Sequence, residues 1–254
     1  MTSLISIASI TPQISVLTLN RPEKRNALNI DLLKAFLEAL RSIEQIPSKR
    51  ILIIQGAGPV FCAGMDLNEA SQPSLSLASG EMIAQTLSAL YRTSLITIAA
   101  IHGAAIGGGA GLMSACDLSI AAEGTQIGYP EARRGLVASQ VMIFLVRQLR
   151  QKDLKELLLT GEPITPEKAQ EIGLINRVAP LTSLLDEALK IAKSILKGAP
   201  KAIKKTKALI EMLYPASFEQ DLAKLLKDHQ EMRTSPEALE GMKACLEKRE
   251  PEWP

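Results

Sequence analysis

Histidine is almost missing from this sequence: His102 and His229 are the only two in 254 residues, beside three cysteines and one tryptophan. A metal centre rich in His or Cys needs about four such ligands at defined spacing, so this shortage argues against a bound metal. Cys62, Cys116 and Cys245 are odd in number and far apart. That speaks against a disulfide framework and for a reducing compartment, read here as the cytoplasm. Aromatic residues make up 3% of the chain and the formal net charge is +2. Nucleic acid would want more stacking partners, and an anionic membrane a stronger field. Residues 1–9 lack the basic and apolar segments of a signal peptide. Residues 93–116 carry no formal charge, but His102, Gly103, Gly107, Gly108, Gly109 and Gly111 fit a buried strand and turn better than a spanning helix.

What is present suits a globular chain: 46% hydrophobic and 22% charged residues, consistent with one large domain or one domain with an appendage. ISVLTL (Ile14–Leu19) reads as a strand ended by Asn20-Arg21-Pro22. Asn29 can cap a helix with Leu33, Phe36, Leu37 and Leu40 on one face. The apolar runs at 51–54 and at Ile96–Ile101 read as buried strands, each followed by glycine. Residues 71–80 (SQPSLSLASG) have no charge or regular pattern and read as a mobile loop, with a helix following through about Leu90. Strands and helices alternate to residue 180, which predicts α/β architecture. Beyond Pro180 only helical patterns continue, broken near Gly198-Ala199-Pro200, Pro215 and Pro236. These shifts divide the chain into an α/β core over 1–195 and a helical region over 196–254. The basic run Lys190, Lys193, Lys197, Lys201, Lys204, Lys205 and Lys207 reads as a solvated amphipathic face.

The glycine-rich segments 56–64 and 103–111 match neither GxxxxGK[ST] nor GxGxxG. Their useful property is exposed backbone amide. Two turns that feed helix N-termini could converge on one developing oxyanion, although glycine clusters also simply permit tight packing. Cys62 lies beside one such turn without a His or Asn arrangement to activate it. His102 reads as a buried turn residue.

LNRPEKRNALN at 19–29, FCAGMDL at 61–67, HGAAIGGGAGL at 102–112 and GYPEARRGL at 128–136 follow one another in a recognisable order. With LLLTGEPITPEKAQEIGLINRV at 157–178 and EGMKACLEKREPEW at 240–253, the chain resembles the enoyl-CoA hydratase/isomerase (crotonase) family over nearly its whole length. The resemblance implies a crotonase-like spiral of ββα units with a C-terminal helical trimerisation region. It implies an acyl-CoA thioester as substrate, no cofactor beyond the coenzyme A that the substrate carries, and a homotrimer or a hexamer made of two trimers. The main-chain N–H groups of Met65 and Gly108 would hold the enolate oxygen, under the positive end of a helix starting near Gly109. Glu131 would transfer the proton. Ala27 would lie near adenine, Lys24 near phosphate, and Ala63 and Leu67 beside the nucleotide or thioester. Lys248 would reach the CoA of a neighbouring subunit, with Cys245 where an aromatic residue is usual. Asp66 and Asp117 match structural positions.

Two departures bear on the reaction. Gly111 stands where hydratases of the family carry the first of two glutamates, and LVASQVMIF at 136–144 replaces a glycine-rich segment. Arg133 and Arg134 could stabilise the Glu131 anion if they face it. Three functions are therefore weighed. The first, favoured by the C-terminal EGMKACLEKR, is hydration of 2-enoyl-CoA to 3-hydroxyacyl-CoA. The second is 3,2-enoyl-CoA isomerisation by Glu131 alone, and the third a catalytically silent acyl-CoA-binding protein. The 71–80 segment is the expected seat of acyl specificity.

Overall fold

A computed structural model describes residues 3–214 and 218–253. The chain opens with β1 (Ile5–Thr11), β2 (Ile14–Leu19), α1 (Ile30–Glu44), β3 (Ile51–Gly56), α2 (Leu67–Ala70) and α3 (Pro73–Arg92). It continues through β4 (Ile96–Ile101), β5 (Ala104–Ile106), α4 (Gly108–Ser114), β6 (Leu118–Ala122), β7 (Gln126–Gly128), α5 (Ser139–Gln148), α6 (Gln151–Thr160), α7 (Pro166–Glu171) and β8 (Arg177–Ala179). Four helices close it: α8 (Leu184–Leu196), α9 (Pro200–Met212), α10 (Phe218–Arg233) and α11 (Pro236–Glu247).

The large sheet has the order β1-β2-β3-β4-β6-β8, antiparallel only at β1–β2, while β5 and β7 form a separate parallel pair. Strand pairs β4–β5 and β6–β7 thus send one strand to each sheet before a helix follows, which is the ββα turn of the spiral. The inner strands read as unbroken apolar runs because both their faces are covered. Ile14, Val16, Ile51, Ile53 and Ile98 pack beneath Ala188, Ile191 and Ala192 of α8. Leu17, Leu19, Leu52 and Ile54 meet Leu33, Phe36 and Leu40 of α1 together with Leu87 and Leu90 of α3. Asn29 caps α1 as expected, accepting from the Leu32 N–H at 3.1 Å. The charge-free 93–116 stretch divides into β4, β5 and α4, and no helix among the described residues is long and apolar enough to cross a membrane.

One expectation fails at residues 71–80. Most of that segment is the start of α3, with Pro73 at the first turn. Proline there loses no helical hydrogen bond, and Ser79 and Gly80 are buried against α10 rather than solvated. Tertiary cover overrides weak local propensity. Pro200 and Pro236 open α9 and α11 as anticipated, whereas the expected break at Pro215 lies outside the described residues.

The C-terminal helices fold back onto their own chain. α10 packs on α3 and α5, and α11 packs on the turn at Ala132–Arg134, where a Cβ at Gly241 would fall 2.3 Å from the Arg134 carbonyl. Lys207 departs from the solvated face expected of the basic run. Its Nζ donates to the Leu95 carbonyl at 2.8 Å and pairs with Asp117 Oδ2 at 2.7 Å. The same carboxylate oxygen accepts from the Thr97 N–H at 2.7 Å and the Thr97 hydroxyl at 3.0 Å. Asp117 therefore locks β4 to the entry of β6 and ties α9 to both. Asp117→Ala is expected to cost about 2–4 kcal/mol of stability in urea unfolding, because it strands Lys207 as well as the Thr97 donors.

Candidate active site

The site begins with a turn that the sheet alone would not shape. After Pro22–Lys24, both Arg25 and Asn26 adopt left-handed backbone (φ 53° and 54°). Asparagine tolerates this conformation, and the burial of Asn26 supplies partners for its amide. Its Oδ1 accepts from the Arg21 N–H at 2.9 Å. Its Nδ2 points at the carbonyls of Ala57, Val60 and Phe61, at 2.8, 2.9 and 3.1 Å. The first motif is thereby pinned to the loop after β3.

From that anchor, Leu28 pairs with the next motif. The Leu28 N–H donates to Gly64 (2.7 Å), and the Asp66 N–H donates back to Leu28 (3.0 Å). Met65 lies between, and its own N–H finds no acceptor among the described residues. On the other side, the Cys62 N–H donates to Ala104 and the Ile106 N–H to Cys62, each at 3.0 Å. This brings the start of α4 alongside. Gly107 caps that helix with φ 54° and ψ −120°, a conformation reserved for glycine. Its N–H is taken by the Gly128 carbonyl at 2.8 Å. Gly108 is the first helical residue, one position earlier than expected, so its N–H has no partner within α4 or elsewhere among the described residues. A Cβ on Gly108 would lie 3.8 Å from the Met65 nitrogen, and one on Gly64 would lie 3.5 Å from the Gly108 nitrogen. Two unsatisfied amides are therefore near neighbours.

Glu131 stands beside them. It follows β7 in the turn before Ala132–Arg134, and a Cβ on Gly107 would be 3.2 Å from its Oε1. Oε2 is buried without a hydrogen-bond partner among the described residues. Burial pushes the carboxyl up to about 7, against smaller lowering effects of its own backbone N–H and of the Arg134 charge. Of the two arginines, only Arg134 acts on it. Arg133 turns outward, with Nε on the Thr160 carbonyl (2.6 Å) and Nη2 on Glu162 (2.8 Å).

The two departures noted in the sequence prove to be one packing unit. A Cβ at Gly111 would fall 2.5 Å from Val141 Cγ1 and 3.5 Å from Leu87 Cδ1. Val141 comes from the 136–144 segment and fills the space that a side chain at 111 would need. No second carboxylate can enter at this position while Val141 stays in place.

A cavity of about 280 Å³ opens beside Met65 and is lined by Lys24, Ala27, Ala63 and Leu67, with Arg25, Asp66, Asn68, Ile106 and Arg134. Five of the residues expected from the sequence thus share one cavity. Lys248 does not join them in this chain and stands exposed at the end of α11. Arg25, Asn68 and Ile106 join the lining without being named by the motifs. The neighbouring basic residue Lys24 hinted at Arg25, but nothing local marked the other two. Asp66 is structural as expected, pairing with Arg21 at 2.6 Å and capping α2. Burial pushes the Cys62 thiol up to about 12, so it is no nucleophile. His102, expected to be buried, is partly exposed, and its Nε2 meets the Gly58 carbonyl at 2.9 Å.

A spiral α/β fold that sets two free amides beside a buried carboxylate is a framework for stabilising an oxyanion. The enoyl-CoA hydratase/isomerase family model matches residues 9–254, and the chain belongs to that family. It is 32% identical over 248 residues to the mevalonyl-coenzyme A hydratase of Aspergillus fumigatus, covering 96% of this chain and 92% of that one. With the 2,3-dehydroadipyl-CoA hydratase of Escherichia coli K12 it shares 30% identity over 248 residues, 97% of each. Among solved structures it is similar to an enoyl-CoA hydratase/isomerase from Xanthobacter autotrophicus Py2 (TM-score 0.89, 28% identity, 100% of both chains). It is also similar to the carnitinyl-CoA hydratase from Mycobacterium avium (TM-score 0.85, 32% identity, 100% of this chain and 99% of that one).

The contact at Gly111 can be measured directly. Gly111→Ala is expected to lower stability by about 1–3 kcal/mol through overpacking. Adding Val141→Ala should recover most of that loss, a non-additivity that denaturant titration of the two single variants and the double variant will reveal.

Proposed function

We propose that this enzyme binds a 2-enoyl-CoA thioester and adds water across its double bond to give 3-hydroxyacyl-CoA. The observation that carries this reading is the pair of free amides at Met65 and Gly108 set beside Glu131. In the proposed reaction the thioester oxygen accepts from both N–H groups, each worth about 3–4 kcal/mol as negative charge develops there. Ionised Glu131 takes a proton from water while the water oxygen bonds to C3 of the acyl chain. The π electrons move toward C2 and the thioester oxygen becomes the enolate oxygen. The enolate then takes the same proton back from Glu131 at C2, so that one carboxyl serves as base and then as acid. Lys24, Ala27, Ala63 and Leu67 are assigned to the CoA moiety, and no cofactor is required beyond it. The names of the hydratase relatives support the same chemistry.

The same proposal places Lys248 on the CoA of an adjoining subunit in a cytoplasmic homotrimer or hexamer. Exposed Leu209, Ile210, Met212 and Leu213 at the end of α9 support an apolar contact of that kind. A second reading, 3,2-enoyl-CoA isomerisation, is favoured by one observation: Val141 fills the space of a second carboxylate and leaves Glu131 alone to move a proton between two carbons.

The two readings separate when purified protein is given 2-enoyl-CoA or 3-enoyl-CoA and the conjugated thioester absorbance is followed. Loss from the first with a 3-hydroxyacyl product is the expected outcome. Gain from the second alone would establish isomerisation, and no change in either would leave a binding protein. Glu131→Gln should lower kcat by at least about a hundredfold, and full retention of activity would overturn the assignment. Because the reacting form is the carboxylate, kcat/KM is expected to rise with pH through about 7 and then level off. The linked stability runs the other way. The folded state binds the extra proton between the ordinary carboxyl value of 4.5 and about 7, so stability should fall as pH rises through that window. Glu131→Gln should flatten that slope in thermal unfolding measured across pH 4–8.

A further inference from the structure

A second set of buried polar atoms without partners lies where α3, α5 and α10 meet. Arg233, the last residue of α10, is 3% exposed, and none of its three guanidinium nitrogens has a hydrogen-bond partner among the described residues. His229, one turn earlier, is 9% exposed. It bonds to the backbone of Val137, while its Nε2 is unpartnered. The buried hydroxyls of Ser79 and Ser139 are unpartnered as well. The Arg233 and His229 atoms border Gly80, where a Cβ would sit 3.1 Å from Arg233 Nη1 and 3.6 Å from His229 Nε2, and Ser79 is the residue before it. Gln140 on the same turn of α5 is already committed to the Gly80 carbonyl at 3.1 Å. Glu69 is the carboxylate whose charge reaches Arg233, but its Oε2 is held by the Ile30 N–H at 2.9 Å.

A guanidinium is rarely buried without an anion or a full set of acceptors, since nothing else compensates its lost hydration. Its planar fork matches the two oxygens of a carboxylate, and the serine hydroxyls are further donors on the two helices that α10 packs against. The net charge of the cluster also selects the ligand. Burial and the Arg233 charge hold His229 neutral, down to about 4, while burial lowers Arg233 only to about 10, still a cation at neutral pH. With the Glu69 charge already nearby and that carboxylate bonded to Ile30, a singly charged carboxylate suits the site better than a phosphate dianion.

Position sets this cluster next to the segments that wall Gly111 and carry Glu131. Ser139 is on the first turn of α5, two residues before Val141, which covers Gly111. Val137, which holds His229, belongs to the segment leading away from the Glu131 turn. None of the four residues lines the cavity that contains Lys24 and Met65. The cluster is therefore separate from the end of the site assigned to CoA.

We propose that Arg233, with His229, Ser79 and Ser139, forms a subsite for a carboxylate at the far end of the acyl chain, so that the enzyme prefers CoA monoesters of dicarboxylic acids. The assignment of that end to the acyl chain rests on the hydratase reading above.

The test is calorimetric binding of saturated CoA thioesters in matched pairs of four to eight carbons, one ending in a methyl group and one in a carboxylate. No turnover is needed. At one length the carboxylate ester is expected to bind at least about tenfold tighter, a difference of about 1.4 kcal/mol. Arg233→Met should abolish that preference and Ser139→Ala should reduce it, with the methyl-ended partner bound as before. Equal binding of every pair by the unaltered protein overturns the proposal. So does an equal loss for both partners in a folded Arg233→Met variant. Should that variant not fold, the unaltered protein and Ser139→Ala decide the matter alone. Stabilisation by acetate or sulfate without any preference within the pairs would mean a free-anion site and also overturns it. A carboxylate preference without hydration of any 2-enoyl-CoA would sink the hydratase reading alone, and hydration without preference would sink the subsite alone.

Discussion

Two backbone N–H groups that find no acceptor among the described residues organise this molecule. Leaving a donor unpaired inside a protein is costly, and folding ordinarily removes such groups. Here the Met65 amide is stranded because its neighbours on both sides pair with Leu28. The Gly108 amide is stranded because it opens a helix. Holding them side by side requires the Asn26 anchor, the glycine-only turns at Gly64 and Gly107, and the bridge from Cys62 to β5. The large sheet supplies the rigid base, and the small sheet supplies the Gly128 carbonyl that takes the Gly107 N–H. Each of these features would be a needless expense if the amides had no ligand to meet.

Beside that rigid donor pair the proposed proton transfer falls to one side chain. The absence of a second carboxylate at 111 is not a bare deletion, because Val141 and Leu87 have closed over the position. An apolar wall there fills the space that a second side chain would need. The same burial that makes the carboxyl hold its proton up to about 7 lets it exchange that proton near neutral pH. A poorer inventory of acids and bases is thus matched by a better-placed ionisation.

The C-terminal helices do more than follow the core. α11 packs on the turn that carries Glu131, and α10 closes over α3 and α5, enclosing Arg233 and His229. A core formed only from the sheet and its covering helices would leave those polar groups in water. Closure by α10 is what turns an ordinary helix-terminal arginine into a buried cation with no hydrogen-bond partner among the described residues.

Elements governed by near neighbours were legible from the residues. The apolar runs of β2 and β4, the Asn29 cap and the prolines that open α9 and α11 each act within a few positions, and the structure has them where they were expected. The 71–80 segment was not legible, since its serines and leucines carry little helical preference and become helix under the cover of α10. Resemblance to a family picked out Met65, Gly108 and Glu131, but no residue type announces a free main-chain N–H. Nor could the sequence relate Gly111 to Val141, 30 positions apart, or separate Arg233 from arginines that simply complement a helix dipole. The sequence by itself determined the alternation of elements, the family and the shortage of acid–base side chains, because these are properties of composition and local order. Only the tertiary structure decided which amides stay unpaired, what fills the space at 111 and which charges lose their water, because burial and pairing arise between segments distant along the chain.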